Sequence, residues 1–163
     1  MTNILGIANA NYRSHDNAAC IVRDGKLVAA AEEERFTREK HAYDSLPTNA
    51  VRFCLSQAGL NIQDVDIVTV GWDLPNVQLE KIPPSASFPS DPKEALQQLL
   101  PERVFGRFDL PEIHFVPHHL AHAATALYAS GFKRAAVIVL DGAGEFEATT
   151  HWQVSDGQFR KLV

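Results

Sequence analysis

Short apolar runs separated by polar turns occupy both ends of the chain. Residues 4–8 and 18–22 are apolar runs of strand length, and Asp24-Gly25 joins the second of them to the run at residues 26–34. Because two apolar runs linked by Asp-Gly are a strong hairpin signal, this region predicts a small antiparallel sheet. The C-terminal residues repeat the pattern, with a second Asp-Gly turn at Asp156-Gly157.

The middle of the chain carries helical patterns. Apolar residues at helical spacing predict a helix over residues 48–58, ended by Gly59, and a second over 118–130, between Pro117 and Gly131. Residues 66–72, 113–117 and 135–140 read as buried strands. Residues 74–111 hold seven of the nine prolines and one helical pattern, KEALQQLL, which predicts an excursion on the surface.

A shift of 132 residues superimposes two parts of the sequence. It places residues 4–8 on 136–140 and Asp24-Gly25 on Asp156-Gly157. Both copies read strand, polar loop, strand, turn, strand, although Asp-Gly hairpins are common enough to arise by chance. We therefore expect an α/β fold with one complete lobe over residues 1–134 and the opening hairpin of a truncated second lobe over 135–163.

Composition narrows the class of protein. A formal charge of −5 provides no basic footprint for nucleic acid, and no segment approaches the roughly 18 apolar residues of a membrane span. The N-terminus lacks the basic and apolar regions of a secretory signal. We expect a cytoplasmic protein whose two cysteines, Cys20 and Cys54, are reduced core thiols.

The sharpest chemical signal is a pair of histidines followed by an aspartate. His118 and His122 lie four residues apart on the predicted helix, so their rings share one face. Asp141 ends the strand at 135–140, and two imidazoles with a carboxylate suit iron, zinc or a similar metal. His119 points about 100° away and would be a poor ligand. The alternative is that the histidines merely lie at a helix start.

The loop after this strand, DGAGE, is the second signal. Gly142 and Gly144 allow a backbone to approach a phosphate closely, with Glu145 at the end of the loop. An ordinary turn is an equally good interpretation from the residues alone. The motif lacks the third glycine and the helix of a dinucleotide fingerprint.

Two further segments could carry chemistry. His15 and Asp16 end the polar loop after the first strand, where an aspartate could hold a hydroxyl and accept its proton, or simply cap its own turn. The mixed charges of residues 32–41 favour a solvated surface. Arg38 and Lys40, with Arg35, could instead attract an anionic donor.

Together these motifs resemble the N-terminal part of the antibiotic and nodulation-factor O-carbamoyltransferases. The resemblance rests on ILGIANANYRSHDNAACIVRDGKLVAAAEEERFTREKH, HHLAHAATALYASG and VIVLDGAGE. It implies a ribonuclease H-like lobe of the actin, sugar-kinase and Hsp70 superfamily. It also implies Fe(II), or zinc or another divalent metal, on His118, His122 and Asp141, with a further aspartate expected later in the chain.

The resemblance also implies a reaction. A separate C-terminal domain would make carbamoyl adenylate from carbamoyl phosphate and ATP. The transfer domain would then pass the carbamoyl group to a hydroxyl of a sugar or polyketide-type acceptor in natural-product biosynthesis, such as antibiotic biosynthesis. Without that domain, we expect the 163-residue chain alone to be inactive.

Three other functions remain open at this point. A tRNA threonylcarbamoyl-transferring relative would share the fold and the histidine pair, but the acidic chain disfavours it. An actin-like ATPase or sugar kinase would bind ATP and magnesium without needing the histidines. An inert binding module would fold but hold no metal.

Overall fold

The computed structural model describes residues 1–8, 15–43, 45–73, 75, 91–142 and 144–163. The chain divides into two compact units, Met1–Phe115 and Val116–Val163. The second unit therefore begins just before the histidine-bearing helix. The two units are defined by how compactly their residues pack. The lobe boundary expected between residues 134 and 135 therefore stays a prediction.

A five-stranded mixed sheet forms the centre of the first unit. Its strands are β1 (Asn3–Ala8), β2 (Ala18–Arg23), β3 (Lys26–Glu32), β4 (Ile67–Val70) and β5 (Glu112–Phe115). They lie in the order β3-β2-β1-β4-β5. Strand β2 is antiparallel to both its neighbours, whereas β1, β4 and β5 run parallel. This order and these directions are those of a ribonuclease H-like lobe, as expected.

The first unit includes the helices α1 (Glu34–Thr37), α2 (Thr48–Ala58), α3 (Pro92–Leu99) and α4 (Glu102–Phe105), with 3₁₀ turns at Lys40–Ala42 and Ile62–Asp64, within the residues that the structure describes. Helix α2 has the predicted bounds and ends at Gly59, whose φ of 64° is one that glycine adopts without strain. Its buried face packs on β2 and β3. Burying such apolar side chains stabilises the lobe by roughly 1.5–3 kcal/mol each.

The proline-rich segment differs from its prediction where the structure describes it. Asp91 caps α3 by accepting a hydrogen bond from Glu94 N, and Pro92 occupies the first turn. The apolar residues of α3 and the residue after it are buried in the same core as α2: these are Ala95, Leu96, Leu99 and Leu100. Helix α3 thus packs on the core through its apolar stripe, while its first turn is exposed. Residues 74 and 76–90 lie outside the described residues.

The second unit is a three-stranded antiparallel sheet with one helix. Helix α5 (His118–Ser130) has the predicted bounds, and β6 (Arg134–Leu140), β7 (Thr149–Ser155) and β8 (Gln158–Lys161) follow in order. Ala123 and Leu127 of the helix pack with three sheet residues, Val139, Trp152 and Val154, in a separate small core.

The predicted repeat is present in the backbone. Each unit contains a three-stranded antiparallel meander, β1-β2-β3 in the first and β6-β7-β8 in the second. The φ angles of the two turns nearly coincide, at 48° and 76° for Asp24-Gly25 and at 50° and 79° for Asp156-Gly157. Two left-handed residues in succession define the turn type that matches strand twist.

Two further expectations concern cysteines and membranes. Cys20 and Cys54 are free thiols, and burial raises the pKa of Cys54 to about 11. Across the described ranges, every helix is too short or too polar to span a bilayer.

Candidate functional site

The first turn of α5 and the end of β6 bring three metal-ligand side chains of the second unit together. His118 Nε2 lies 2.9 Å from Asp141 Oδ2 and 3.0 Å from His122 Nε2. His122 Nε2 lies 3.5 Å from the same carboxylate oxygen. The helix supplies the spacing of the rings, and the end of the strand supplies the carboxylate. The structure therefore brings together the three residues predicted to bind a metal.

The three close contacts among these atoms cannot all be hydrogen bonds. If His118 Nε2 carries a proton and donates it to Asp141, it has no lone pair to accept a hydrogen bond from His122 Nε2. If it accepts from His122 instead, its lone pair faces the carboxylate oxygen at 2.9 Å. A cation at the centre removes the conflict, because all three atoms can then direct lone pairs at it. The donor set of two imidazoles and one carboxylate fits iron(II) or zinc.

The carboxylate of Asp141 is held in its ionised form. Burial alone would raise its pKa, but the Gly142 N–H donates to Oδ1 at 2.6 Å and His118 contacts the other oxygen. These interactions prevail, so the pKa of Asp141 lies below its ordinary value. An ionised carboxylate is the form that binds a cation.

Glu145 holds the N-terminus of α5. Its two carboxylate oxygens accept the His118 N–H at 2.8 and 3.0 Å. A negative charge is favourable here because the first N–H groups of a helix lack partners within it. Glu145 therefore fixes the turn that carries His118, the first candidate metal ligand. A contact between Glu145 and a bound donor stays a prediction.

The loop containing Gly142 and Gly144 lies against a buried histidine. His119 is 3% exposed, as expected for a residue facing away from the candidate metal ligands. A Cβ atom on Gly144 would lie 2.8 Å from His119 Cδ2, 3.0 Å from its Nε2 and 3.1 Å from Glu147 O. Only glycine fits at this position. A Cβ on Gly142 would meet nothing within 4 Å.

A chain of hydrogen bonds fixes the His119 ring. Trp152 Nε1 donates to Thr150 Oγ1 at 2.8 Å, and the same hydroxyl lies 3.0 Å from His119 Nδ1. The hydroxyl proton is then free to go to Nδ1, which leaves the proton of the ring on Nε2. That nitrogen is buried without a hydrogen-bond partner among the described residues.

A second imidazole–carboxylate cluster lies in the first unit. His15 Nδ1 is 2.7 Å from Asp16 Oδ2, and His41 Nδ1 is 2.8 Å from Asp16 Oδ1. Glu34 accepts the His41 backbone N–H on Oε2 at 2.8 Å. Hydrogen bonds from His41 and then His15 hold the pKa of Asp16 below its ordinary value. The side chains of His15 and Asp16, which were predicted to bind the acceptor hydroxyl, are thus in contact, and His41 contacts the same carboxylate.

Hydrogen bonds of two buried polar residues, Asn17 and Glu33, hold the backbone next to this cluster. Asn17 is fully buried and donates to Ala42 O at 3.1 Å. Glu33, 1% exposed, accepts hydrogen bonds from Asn49 N, Asn49 Nδ2 and Ala50 N at the start of α2. The Glu33 N–H in turn donates to Asn17 O at 2.7 Å. These bonds tie the segment that carries His41 to the core.

The charged run at residues 32–41 is therefore not simply a solvated surface. Glu33 is a buried structural carboxylate, although nothing in the run distinguishes it from its neighbours in sequence. Arg35 pairs with Glu32 at 2.6 Å, while Arg38 and Lys40 are exposed. Attraction of an anionic donor by Arg38 and Lys40 stays a prediction. Sequence reasoning missed His41, because only the fold brings it to Asp16.

Comparisons with known proteins give a consistent match. A family model described as "Carbamoyltransferase N-terminus" matches residues 3–163. The "Uncharacterized protein sll1178" of Synechocystis sp. is 37% identical, with 97% of this chain and 28% of the relative covered. "Nodulation protein NolNO" of Sinorhizobium fredii is 39% identical, with coverages of 83% and 21%. The chain thus spans about a quarter of these relatives' length.

Solved structures show weaker similarity. YeaZ from Pseudomonas aeruginosa is 15% identical, with a TM-score of 0.49 and coverage of all of this chain and 65% of that one. The ROK hexokinase of Thermus thermophilus is 12% identical, with a TM-score of 0.46 and coverages of 97% and 47%.

Proposed function

Because the chain belongs to the carbamoyltransferase N-terminus family, we propose that it provides the metal-holding and acceptor-binding part of an O-carbamoyltransferase. The donor would be carbamoyl adenylate, formed from carbamoyl phosphate and ATP. The acceptor would be a hydroxyl of a small molecule in natural-product biosynthesis, of the sugar or polyketide type. The remaining length of the relatives would supply the adenylate-forming region.

The convergence of His118, His122 and Asp141 carries this proposal. Their ligand atoms lie within 4.8 Å of one another. These residues would hold Fe(II), or zinc or another divalent cation. When bound, such a cation supplies Lewis-acid stabilisation of negative charge on a phosphate or carbonyl oxygen. Glu145 would keep the first ligand in place through its hydrogen bonds to the His118 N–H.

The glycine loop would bind the donor. Gly142 is exposed, and a Cβ there would meet no atom within 4 Å, so a phosphate could approach the backbone closely. Arg38 and Lys40 are exposed cations that could attract the anionic donor.

The acceptor hydroxyl would bind at the His15–Asp16 loop. A carbamoyl carbon is a poor electrophile until it carries a good leaving group, which adenylation supplies. The hydroxyl then needs orientation and a group to take its proton, which together contribute on the order of 10²–10⁴ in rate. The imidazoles and carboxylate of the first unit are groups of that kind.

Carbamoyl transfer tests the proposal in the longest protein that carries this sequence. Supplied with carbamoyl phosphate, ATP and sugar or polyketide acceptors, the wild type should release AMP and form an O-carbamoyl product. His118→Ala/His122→Ala should reduce transfer at least about 100-fold, because the cation is lost. His114→Ala is a matched control, since this exposed histidine pairs only with Glu112 at 3.0 Å among the described residues. A double variant as active as the wild type would contradict the proposal.

A further inference from the structure

We infer that His41 is the general base that accepts the proton of the acceptor hydroxyl, and that Asp16 positions it. The inference rests on the proposed function, which supplies the hydroxyl acceptor. It assigns the proton-accepting atom to a residue that the sequence did not single out for this role.

The geometry is that of an imidazole oriented by a carboxylate. His41 Nδ1 lies 2.8 Å from Asp16 Oδ1 and donates its proton there. The neutral ring then carries a lone pair on Nε2, which is the form that accepts a proton. His41 Nε2 makes no hydrogen bond to any described residue, and the side chain is 39% exposed.

Asp16 is poorly suited to take the proton itself. Both of its oxygens already face imidazole Nδ1 atoms, at 2.7 and 2.8 Å. Hydrogen bonds from His41 and His15 also lower its pKa, which makes the carboxylate a weaker base. Its negative charge instead favours the imidazolium that forms when His41 accepts a proton.

Both backbone groups of His41 are held by hydrogen bonds. Its N–H donates to Glu34 Oε2 at 2.8 Å, and its carbonyl accepts the Asp16 N–H at 2.7 Å. Its side chain is 39% exposed, against 60% for His15. A base must be placed within hydrogen-bond reach of the proton, and hydrogen bonds at both backbone groups of His41 give its ring a fixed position.

A cation is a weaker explanation of the same residues. Asp16, Glu34 and His41 offer three ligand atoms within 4.8 Å of one another. Here, however, each acceptor faces a donor: the Asp16 oxygens face the imidazoles, and Glu34 Oε2 accepts the His41 N–H. The cluster is complementary without a metal, unlike the histidine pair of the second unit.

The backbone conformation adds a second, independent observation. Asp16, His41 and Ala42 have φ angles of 59°, 66° and 43°. Left-handed backbone at a non-glycine residue costs on the order of 1 kcal/mol or more and is concentrated at functional sites. Buried Asn17, which donates to Ala42 O at 3.1 Å, helps to hold this conformation.

The proposed step transfers the carbamoyl group to the hydroxyl oxygen and the hydroxyl proton to His41. The hydroxyl proton passes to His41 Nε2 while the hydroxyl oxygen forms a bond to the carbamoyl carbon. The bond from that carbon to the bridging phosphate oxygen breaks, and its electron pair leaves on AMP. The products are the O-carbamoyl ester, AMP and a protonated His41, which releases its proton to solvent.

His41→Gly tests the assignment without straining the backbone, because glycine adopts a φ of 66° readily. In the longest protein that carries this sequence, kcat for transfer should fall about 100-fold or more while carbamoyl adenylate formation is unchanged. Added imidazole should restore part of the lost rate. His114→Ala, the matched exposed histidine, should keep wild-type kcat. A His41→Gly kcat within about threefold of wild type, or a loss that imidazole does not restore, would overturn the assignment.

The ring nitrogens of the 163-residue chain provide a readout that is independent of turnover. Nitrogen-15 NMR should show the neutral form of the His41 ring protonated on Nδ1 and bare on Nε2, and Asp16→Asn should weaken that preference. A proton on Nε2 would overturn the assignment even if transfer occurs. Wild-type protein that transfers no carbamoyl group would overturn the proposed function, and the base assignment with it.

Discussion

The two imidazole–carboxylate clusters contain the same residue types but present opposite ring nitrogens. In the first unit, His15 and His41 direct Nδ1 at one aspartate. In the second, His118 and His122 direct Nε2 at another aspartate and at each other. The first arrangement pairs donors with acceptors, whereas in the second the three close contacts cannot all be hydrogen bonds. The ring nitrogen therefore distinguishes the proposed proton acceptor from the candidate cation site.

The backbones of the two clusters differ as well. The metal candidates lie on a regular helix and at the end of a strand, and none of the three has a positive φ. The first-unit cluster uses left-handed residues supported by buried polar groups. Sequence reasoning found the whole set spaced by the helix, whereas in the loop cluster it found His15 and Asp16 but not His41.

The largest expected effect is loss of metal from one cluster and not from the other. After the 163-residue chain is dialysed against zinc, elemental analysis should find about one equivalent in the wild type. We expect almost none in His118→Ala/His122→Ala, because one carboxylate alone binds weakly. His15→Ala/His41→Gly should keep its metal. If His15→Ala/His41→Gly lost its metal while His118→Ala/His122→Ala kept it, the metal would be assigned to the first-unit cluster instead.

The next effect concerns the scaffold of the first cluster. Glu33→Ala leaves the Asn49 and Ala50 N–H groups without their buried acceptor, so we expect a loss of about 3 kcal/mol in the free energy of unfolding. Urea unfolding measures it. Glu32→Ala, which removes only an exposed pair with Arg35, should cost less than about 1 kcal/mol. Equal losses would show that Glu33 is not the support described.

A matched glycine pair tests the scaffold of the second unit. Gly144→Ala puts a methyl group against the His119 ring, and we expect a loss of roughly 1–3 kcal/mol from overpacking. Gly142→Ala meets no atom within 4 Å and should change the free energy of unfolding by less than about 0.5 kcal/mol. Thermal or urea unfolding of both variants gives the comparison. Similar values for the two would contradict the close packing.

The smallest effect is a dependence of stability on acid. The pKa of Asp16 is lower in the folded chain than its ordinary value of 3.8. The ionised side chain therefore makes its full contribution to the free energy of unfolding at pH values above 3.8. The contribution is lost as the pH falls through the lowered folded pKa. Since the side chain is 50% exposed, we expect less than about 1 kcal/mol. Urea unfolding between pH 5 and pH 2 should show a smaller decline for Asp16→Asn, and an unchanged decline would contradict it.

Much of the secondary structure could be predicted from sequence patterns that involve only neighbouring residues. The bounds of α2 and α5 follow from apolar spacing and from Gly59 and Gly131, and the Asp-Gly turns follow from their residues. The metal candidates follow from spacing four apart on a helix. These features depend on residues close in sequence.

Features that depend on distant contacts could not be found in this way. Glu33 is buried because it meets the start of α2, some sixteen residues later. His41 reaches Asp16 from 25 residues away. The apolar stripe of α3 is buried only because the fold places it on the core. Sequence alone offers no signal for the placements of Glu33 and His41, whereas the apolar stripe of α3 is a signal of burial that its proline-rich surroundings masked.

The division of roles between the two clusters can be measured by zinc titration of the 163-residue chain, followed by nitrogen-15 NMR of the histidine rings. We expect the Nε2 signals of His118 and His122 to shift and saturate at one equivalent, while those of His15 and His41 do not shift. A shift of His15 or His41 at that first equivalent, with His118 and His122 unmoved, would contradict it.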